Sequence, residues 1–219
     1  MTFYEHLIAA TAADRNYLMA APVLVDCLQG RVTAQSYLAF LTQAYHHVRH
    51  TTPLLMTLGG RLPDRQGWLR RPVAEYIEEE IGHEEWILDD IAAAGGDAAA
   101  VRGSSPGLPA ELMVAYAYDL IQRRNPAAFF GMVFVLEGTS VALALTAADR
   151  IQQALGLPDQ AFTYLRSHGT LDQEHTQHLA ALLEQMAPED QADVLRSAKI
   201  FFKLYGDIFH ALPAAGTTQ

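Results

Sequence analysis

The sequence predicts an all-α protein, a bundle of about seven helices. Three observations predict it. Every long apolar pattern has helical period. No alternating run is bounded by hairpin turns. Helix-starting and helix-stopping residues, among them Thr33, Gly95-Gly96, Pro126 and Pro188, punctuate the chain at helical lengths. With 219 residues, half of them hydrophobic and 18% charged, the chain suits one sizeable core. The expectation is one domain over 1–212 and a disordered tail over 213–219. No internal repeat is visible.

In order, Phe3 to Met19 reads as a first helix and Pro22 to Leu28 as a short second one, ended by Gly30. Thr33 suits the N-cap of a long helix with Tyr37, Phe40, Leu41 and Ala44 on one face. That helix carries Tyr45, His46, His47 and His50, of which Tyr45, His46 and His50 are pocket candidates. Gly59, Gly60 and Pro63 read as a turn. A long helical pattern from Asp64 to Ala94 follows and contains EYIEEEIGHEEWILDDI. There Glu80 lies three residues and Glu79 four residues before His83, so either carboxylate can meet that imidazole on a helical face. Glu-x-x-His at i, i+3 is the spacing of helical di-iron carboxylate sites, which favours Glu80. Glu78, Glu84, Glu85 and Asp90 read as a solvated acidic face.

After a loop around Ser104 to Pro109, a helix reaches Arg124. Pro126 to Leu155 is apolar on all sides for about the length of a membrane span, with Glu137 at its middle. A central carboxylate and the lack of a second span favour the buried core helix of a bundle. There a carboxylate must be protonated, paired or bound to metal. From Tyr164 the chain reads YLRSHGTLDQEHTQHL, placing His168, Asp172 and His175 at i, i+4 and i+7 of one face. These are ligand types for a divalent metal, or a hydrogen-bonded core trio. Pro188 starts a last helix whose Phe201, Phe202, Tyr205, Ile208 and Phe209 suit core or a dimer interface.

A formal net charge of -10 disfavours nucleic acid and anionic membrane as partners. Cys27 is the only cysteine, which rules out an intrachain disulfide and a thiolate zinc cluster. The first residues lack the basic and apolar regions of a secretory signal, so a cytoplasmic protein is expected.

Glu80-x-x-His83, Glu137 and His168-x3-Asp172-x2-His175, in that order on three helices, resemble the heme-oxygenase-like di-iron oxidases. These lie within the wider superfamily of thiaminase II and pyrroloquinoline quinone synthase C. The resemblance covers most of the chain. It implies a site for two non-heme iron ions held by Glu80, His83, Glu137, His168, Asp172 and His175. It also implies O2 and a small amine or carboxylic acid as reactants, and a homodimer. The chain departs from this pattern in places. Many relatives place the first Glu seven residues before its His, where Tyr76 stands, so the first carboxylate is Glu79 or Glu80. No lysine lies between Glu137 and Asp149, which argues against the self-sacrificing chemistry of relatives that make p-aminobenzoate. Cys27 lies too early to match the thiaminase nucleophile. Two alternatives share the fold: a metal-free enzyme like thiaminase or the quinone synthase, and a non-catalytic protein that binds a small ligand or heme.

Overall fold

Helix α10 (Phe130–Leu155) is the axis around which the other helices assemble. In the computed structural model, which describes residues 1–215 and only the backbone of 170–175, it packs chiefly against α11 (Thr163–Glu184) and α12 (Pro188–His210). Around these lie α1 (Phe3–Ala10), α2 (Ala12–Met19), α3 (Pro22–Leu28), α4 (Ala34–Val48), α5 (Thr51–Arg61), α6 (Arg70–Glu80), α7 (His83–Ala93), α8 (Ala98–Gly103) and α9 (Leu108–Arg123). No strand occurs among the described residues. The all-α bundle is therefore what the helical periodicities predict, although several expected helices are divided.

Each division has a local cause. The first helix breaks at Thr11, whose hydroxyl donates to the Leu7 carbonyl at 2.7 Å. Thr33 caps α4 through a reciprocal pair with Ser36, but α4 stops at Val48 and His50 becomes the residue preceding α5. Gly59 and Gly60 lie inside α5 rather than in a turn. A Cβ on Gly59 would stand 3.5 Å from Val73, so the glycine lets α5 approach α6 closely. The expected helix over 64–94 is three pieces: a 3-10 turn over Asp64–Leu69, then α6, then α7. Gly82, at φ 91°, separates the last two in a left-handed conformation that L-residues avoid.

Two apolar clusters form the core. The larger gathers α1, α2, α5, α6, α9, α12 and the first turns of α10. The smaller gathers α4, α7, the start of α11 and the last turns of α10. Phe130 and Met132 to Val135 belong to the first cluster, Ala144, Ala148 and Ile151 to the second, and Glu137 lies between them in sequence. By length and composition Pro126–Leu155 would suffice to cross a membrane, but 56% of its most apolar window is buried within this fold.

Close contacts lock the axis in place. A Cβ on Gly131 would fall 2.7 Å from the Ala198 backbone nitrogen, so only glycine lets α10 meet α12 there. A Cβ on Gly169 would fall 2.7 Å from Leu145, which brings α11 onto α10 next to His168. Asp90 corrects the reading of an all-solvated acidic face. It is fully buried and accepts the backbone N–H groups of Thr163 and Tyr164 at 2.9 and 2.8 Å. This carboxylate satisfies the first orphan donors of α11 and fixes where that helix begins. Burial outweighs those bonds and pushes its pKa up to about 6.

Candidate metal centre

The seam between the two apolar clusters holds a cavity of about 90 Å³. Glu80, Glu137, His168 and His47 reach its wall, together with Tyr76, Tyr164 and Tyr205. Apolar side chains such as Leu55, Phe129 and Met132 complete it. Charged and polar groups thus gather where surrounding apolar packing makes an uncompensated charge costly.

Glu80 and His83 meet as their spacing suggests, yet not on a continuous helix. Glu80 ends α6, Gly82 turns the chain, and His83 opens α7. His83 Nδ1 lies 3.2 Å from Glu80 Oε2, with both side chains largely buried. The His83 ring stacks on Trp86 at 4.0 Å between centroids and meets the edge of His168 at 4.8 Å. Tyr164, one turn before His168, lies against that ring at 4.8 Å. One donor atom each from Glu80, His83 and His168 lies within 4.8 Å of the other two. Glu79 is exposed and lines a surface cleft with Tyr76 and His178. The geometry therefore joins Glu80 rather than Glu79 to His83.

Glu137 comes to the same cavity from α10, 8% exposed. Tyr76 lines the same cavity, and burial followed by the charge of Glu137 raises the tyrosine pKa. Tyr4 is raised for the same two reasons, burial first and Glu137 second. Both phenols consequently stay protonated. Asp172 and His175 lie outside the residues whose side chains are described; they follow His168 on α11.

The pocket candidates on α4 are placed elsewhere. His46 Nε2 pairs with Ser104 Oγ at 2.9 Å, His50 Nδ1 pairs with Tyr118 at 3.3 Å, and Tyr45 belongs to the smaller apolar cluster. None of the three lines the cavity; His47 does. A register argument from Tyr37, Leu41 and Ala44, which are buried on the inner face, would have pointed to His47 and Val48. Burial, then the positive charge of His168, His50 and His46, pushes the His47 pKa down to about 3. Its Nδ1 is buried without a hydrogen-bond partner.

Cys27 also lies closer to this region than its place in the sequence suggests. It lines a second, apolar cavity on the other side of His168. Burial raises its thiol to about 11, so it behaves as an apolar group and not as a nucleophile.

The donor set fits a metal. Two imidazoles and a carboxylate already converge, a second carboxylate faces the same space, and hard-to-borderline divalent ions take these ligands. A family model described as iron-containing redox enzyme matches residues 38–206. Among solved structures, a domain of unknown function with a heme oxygenase-like fold from Shewanella denitrificans superposes with a TM-score of 0.86. It has 23% identity, over 95% of this chain and 90% of that one. A TenA homolog from Pseudomonas syringae gives 0.76 at 10% identity, over 94% and 90%. Heme oxygenase-1 from the cyanobacterium Synechocystis, in complex with heme, gives 0.74 at 11% identity, over 95% and 91%. These likenesses establish a heme-oxygenase-like fold. A search of functionally curated proteins returned no match.

Proposed function

Because the chain belongs to the family of iron-containing redox enzymes, we propose that it is an O2-dependent non-heme di-iron oxidase or oxygenase. Its substrate on this reading is a small amine or carboxylic-acid metabolite. The observation that carries the reading is the convergence of Glu80, His83 and His168 from three helices on one buried point, with Glu137 on the wall of the same cavity. Glu80, His83, Glu137, His168, Asp172 and His175 would hold the two ions. Bound iron would supply the redox chemistry toward O2 and the positive charge that buried carboxylates need.

The remaining work falls to this chain's own residues. Tyr76, whose pKa is raised by burial and then by the charge of Glu137, keeps its proton in the cavity that Glu137 lines. Trp86 and Tyr164 confine the rings of His83 and His168. Leu55, Phe129 and Met132 give the cavity an apolar wall, which strengthens the electrostatic interactions inside it. His47 stays neutral, so its buried Nδ1 is available to exchange a hydrogen bond or a proton with a bound molecule.

The test is metal content after anaerobic loading with Fe(II), followed by O2 uptake. The expected result is up to two irons per chain and O2 consumption that depends on them. A chain that takes up no iron under these conditions would leave Glu80, His83 and His168 as a structural polar cluster, and the non-catalytic ligand-binding reading would replace this one.

A further inference from the structure

Tyr76 stands between two spaces. Among the described residues it is the side chain that lines both the inner cavity of the candidate centre and an outer cleft between α6 and α11. It is 8% exposed and packs in the larger apolar cluster, so its ring is the partition. The two spaces differ in size and polarity. The inner one measures about 90 Å³ and the outer one about 670 Å³. Arg71, Glu75, Glu79 and His178 line the outer one and are all exposed. Arg71 Nε donates to Glu75 at 3.1 Å, and two carboxylates against one guanidinium leave this wall negative when His178 is neutral. Such a cleft raises the local concentration of small cations.

The room for movement is on the outer side. Helix α6 packs chiefly on α5, and the cleft lies on its α11 side. A change of staggered position about χ1 carries the Tyr76 ring toward that cleft. The phenol keeps its proton, so the swing takes no charge out of the interior. From this arrangement we infer that Tyr76 is a door. The cleft between α6 and α11 is the entrance by which metal ions and other small hydrated species reach the candidate centre. With the door closed, Glu80, Glu137, His47 and His168 face a cavity with apolar neighbours such as Leu55 and Met132. With it open, they meet solvent. The door rests on the two cavities alone; the passage of iron through it rests on the oxidase reading.

Labelling of histidines in the metal-free full chain by diethyl pyrocarbonate, read residue by residue by mass spectrometry, tests this. His47 is the reporter, because it lines the inner cavity and not the apolar one beyond His168. A door open for about a tenth of the time or less predicts at least about tenfold faster labelling of His47 in Tyr76→Ala. Tyr76→Phe keeps the ring and should label at the parent's rate. Ala181→Trp adds bulk at an exposed position of the cleft and should slow the labelling. It also covers the case in which Tyr76→Ala does not fold. The rate of Fe(II) uptake should follow the same order, with Ala181→Trp reaching the parent's final iron content. Unchanged His47 labelling in Tyr76→Ala and Ala181→Trp would overturn the inference. Equal acceleration at His46 and His50, which lie off the cavity, would also overturn it, because that is general loosening. Slowing by Leu143→Trp in the apolar cavity, in place of Ala181→Trp, would place the entrance past His168 and overturn it as well. Labelling that follows the door in a protein that takes up no iron would support the door and defeat the iron reading. Iron uptake with labelling that ignores the door would do the reverse.

Discussion

The candidate centre receives its two described carboxylates from opposite kinds of backbone. Glu137 comes from an unbroken helix whose neighbours on both sides are core residues, and its position is fixed by packing along α10. Glu80 is the last residue of α6, beside Ile81, which is 62% exposed, and a glycine in a left-handed conformation. The first wall is dry and stiff. The second lies beside an exposed loop residue and depends on a local turn. The difference teaches that one site can be built half by global packing and half by a single backbone break, and that the two halves should fail differently.

The largest expected effects concern iron. Glu137→Ala should lower Fe(II) affinity by at least about 10–100-fold, the range seen when even supporting groups of a metal site are removed. Circular dichroism should show the helical fold intact, since α10 is held by its apolar neighbours. Glu80→Ala should lower iron uptake comparably, while Glu79→Ala, on the outer cleft, should leave it within about twofold of the parent. Equal losses from Glu79→Ala and Glu80→Ala would break the comparison, because the turn at Gly82 would then not select one carboxylate.

The dryness of the α10 side has a pH signature in the metal-free protein. His47 on α4 faces the same cavity as Glu137, with its pKa pushed down to about 3, against an ordinary value near 6.5. Above about pH 6.5 it is neutral in both folded and unfolded chains and contributes no pH dependence. Between about 6.5 and 3 the unfolded chain binds a proton there that the folded chain does not. Stability should therefore fall as pH falls, by up to about 1.4 kcal/mol per pH unit from this residue. The measurement is urea unfolding of parent and His47→Gln across that window. The variant's slope should be shallower by that amount; parallel slopes would mean that water reaches His47 and that the wall is not dry.

What was legible in the sequence follows the same division. Glu137 stood out because a carboxylate in a long apolar run has few outcomes, and α10 is indeed the central helix. His168 was legible from its face on α11. The pairing of Glu80 with His83 was legible as a spacing, but its mechanism was not. A helical i, i+3 pair and a pair drawn together across a glycine break leave the same two letters three apart. His47 does not stand out among the histidines of α4 until the inward register of Tyr37, Leu41 and Ala44 is followed. Asp90 reads as solvated in the sequence because the partner that buries it, the start of α11, lies more than seventy residues away. Short-range patterns cannot carry such pairings.

The smallest expected effects sharpen the comparison most, because one substitution should change sign between the two regions. Gly82 and Gly138 each have open space where a Cβ would stand. Any effect of Gly→Ala at these positions is therefore a backbone effect, not a clash. At Gly82, with φ 91°, an alanine must hold a left-handed conformation, and Gly82→Ala should cost roughly 1–2 kcal/mol. It should also weaken iron uptake, because relaxing the turn changes the angle between α6 and α7 and so moves His83 relative to His168. At Gly138, inside α10 and next to Glu137, the helix asks nothing special of the backbone. There Gly138→Ala should raise stability by about 0.5–1 kcal/mol, since glycine loses more freedom on entering a helix than alanine does. Iron uptake should stay at the parent level. Urea midpoints and iron content of the two variants, measured side by side, provide the test. If both substitutions stabilise the chain and both spare iron, the break at Gly82 contributes nothing to the site, and the two walls are built alike.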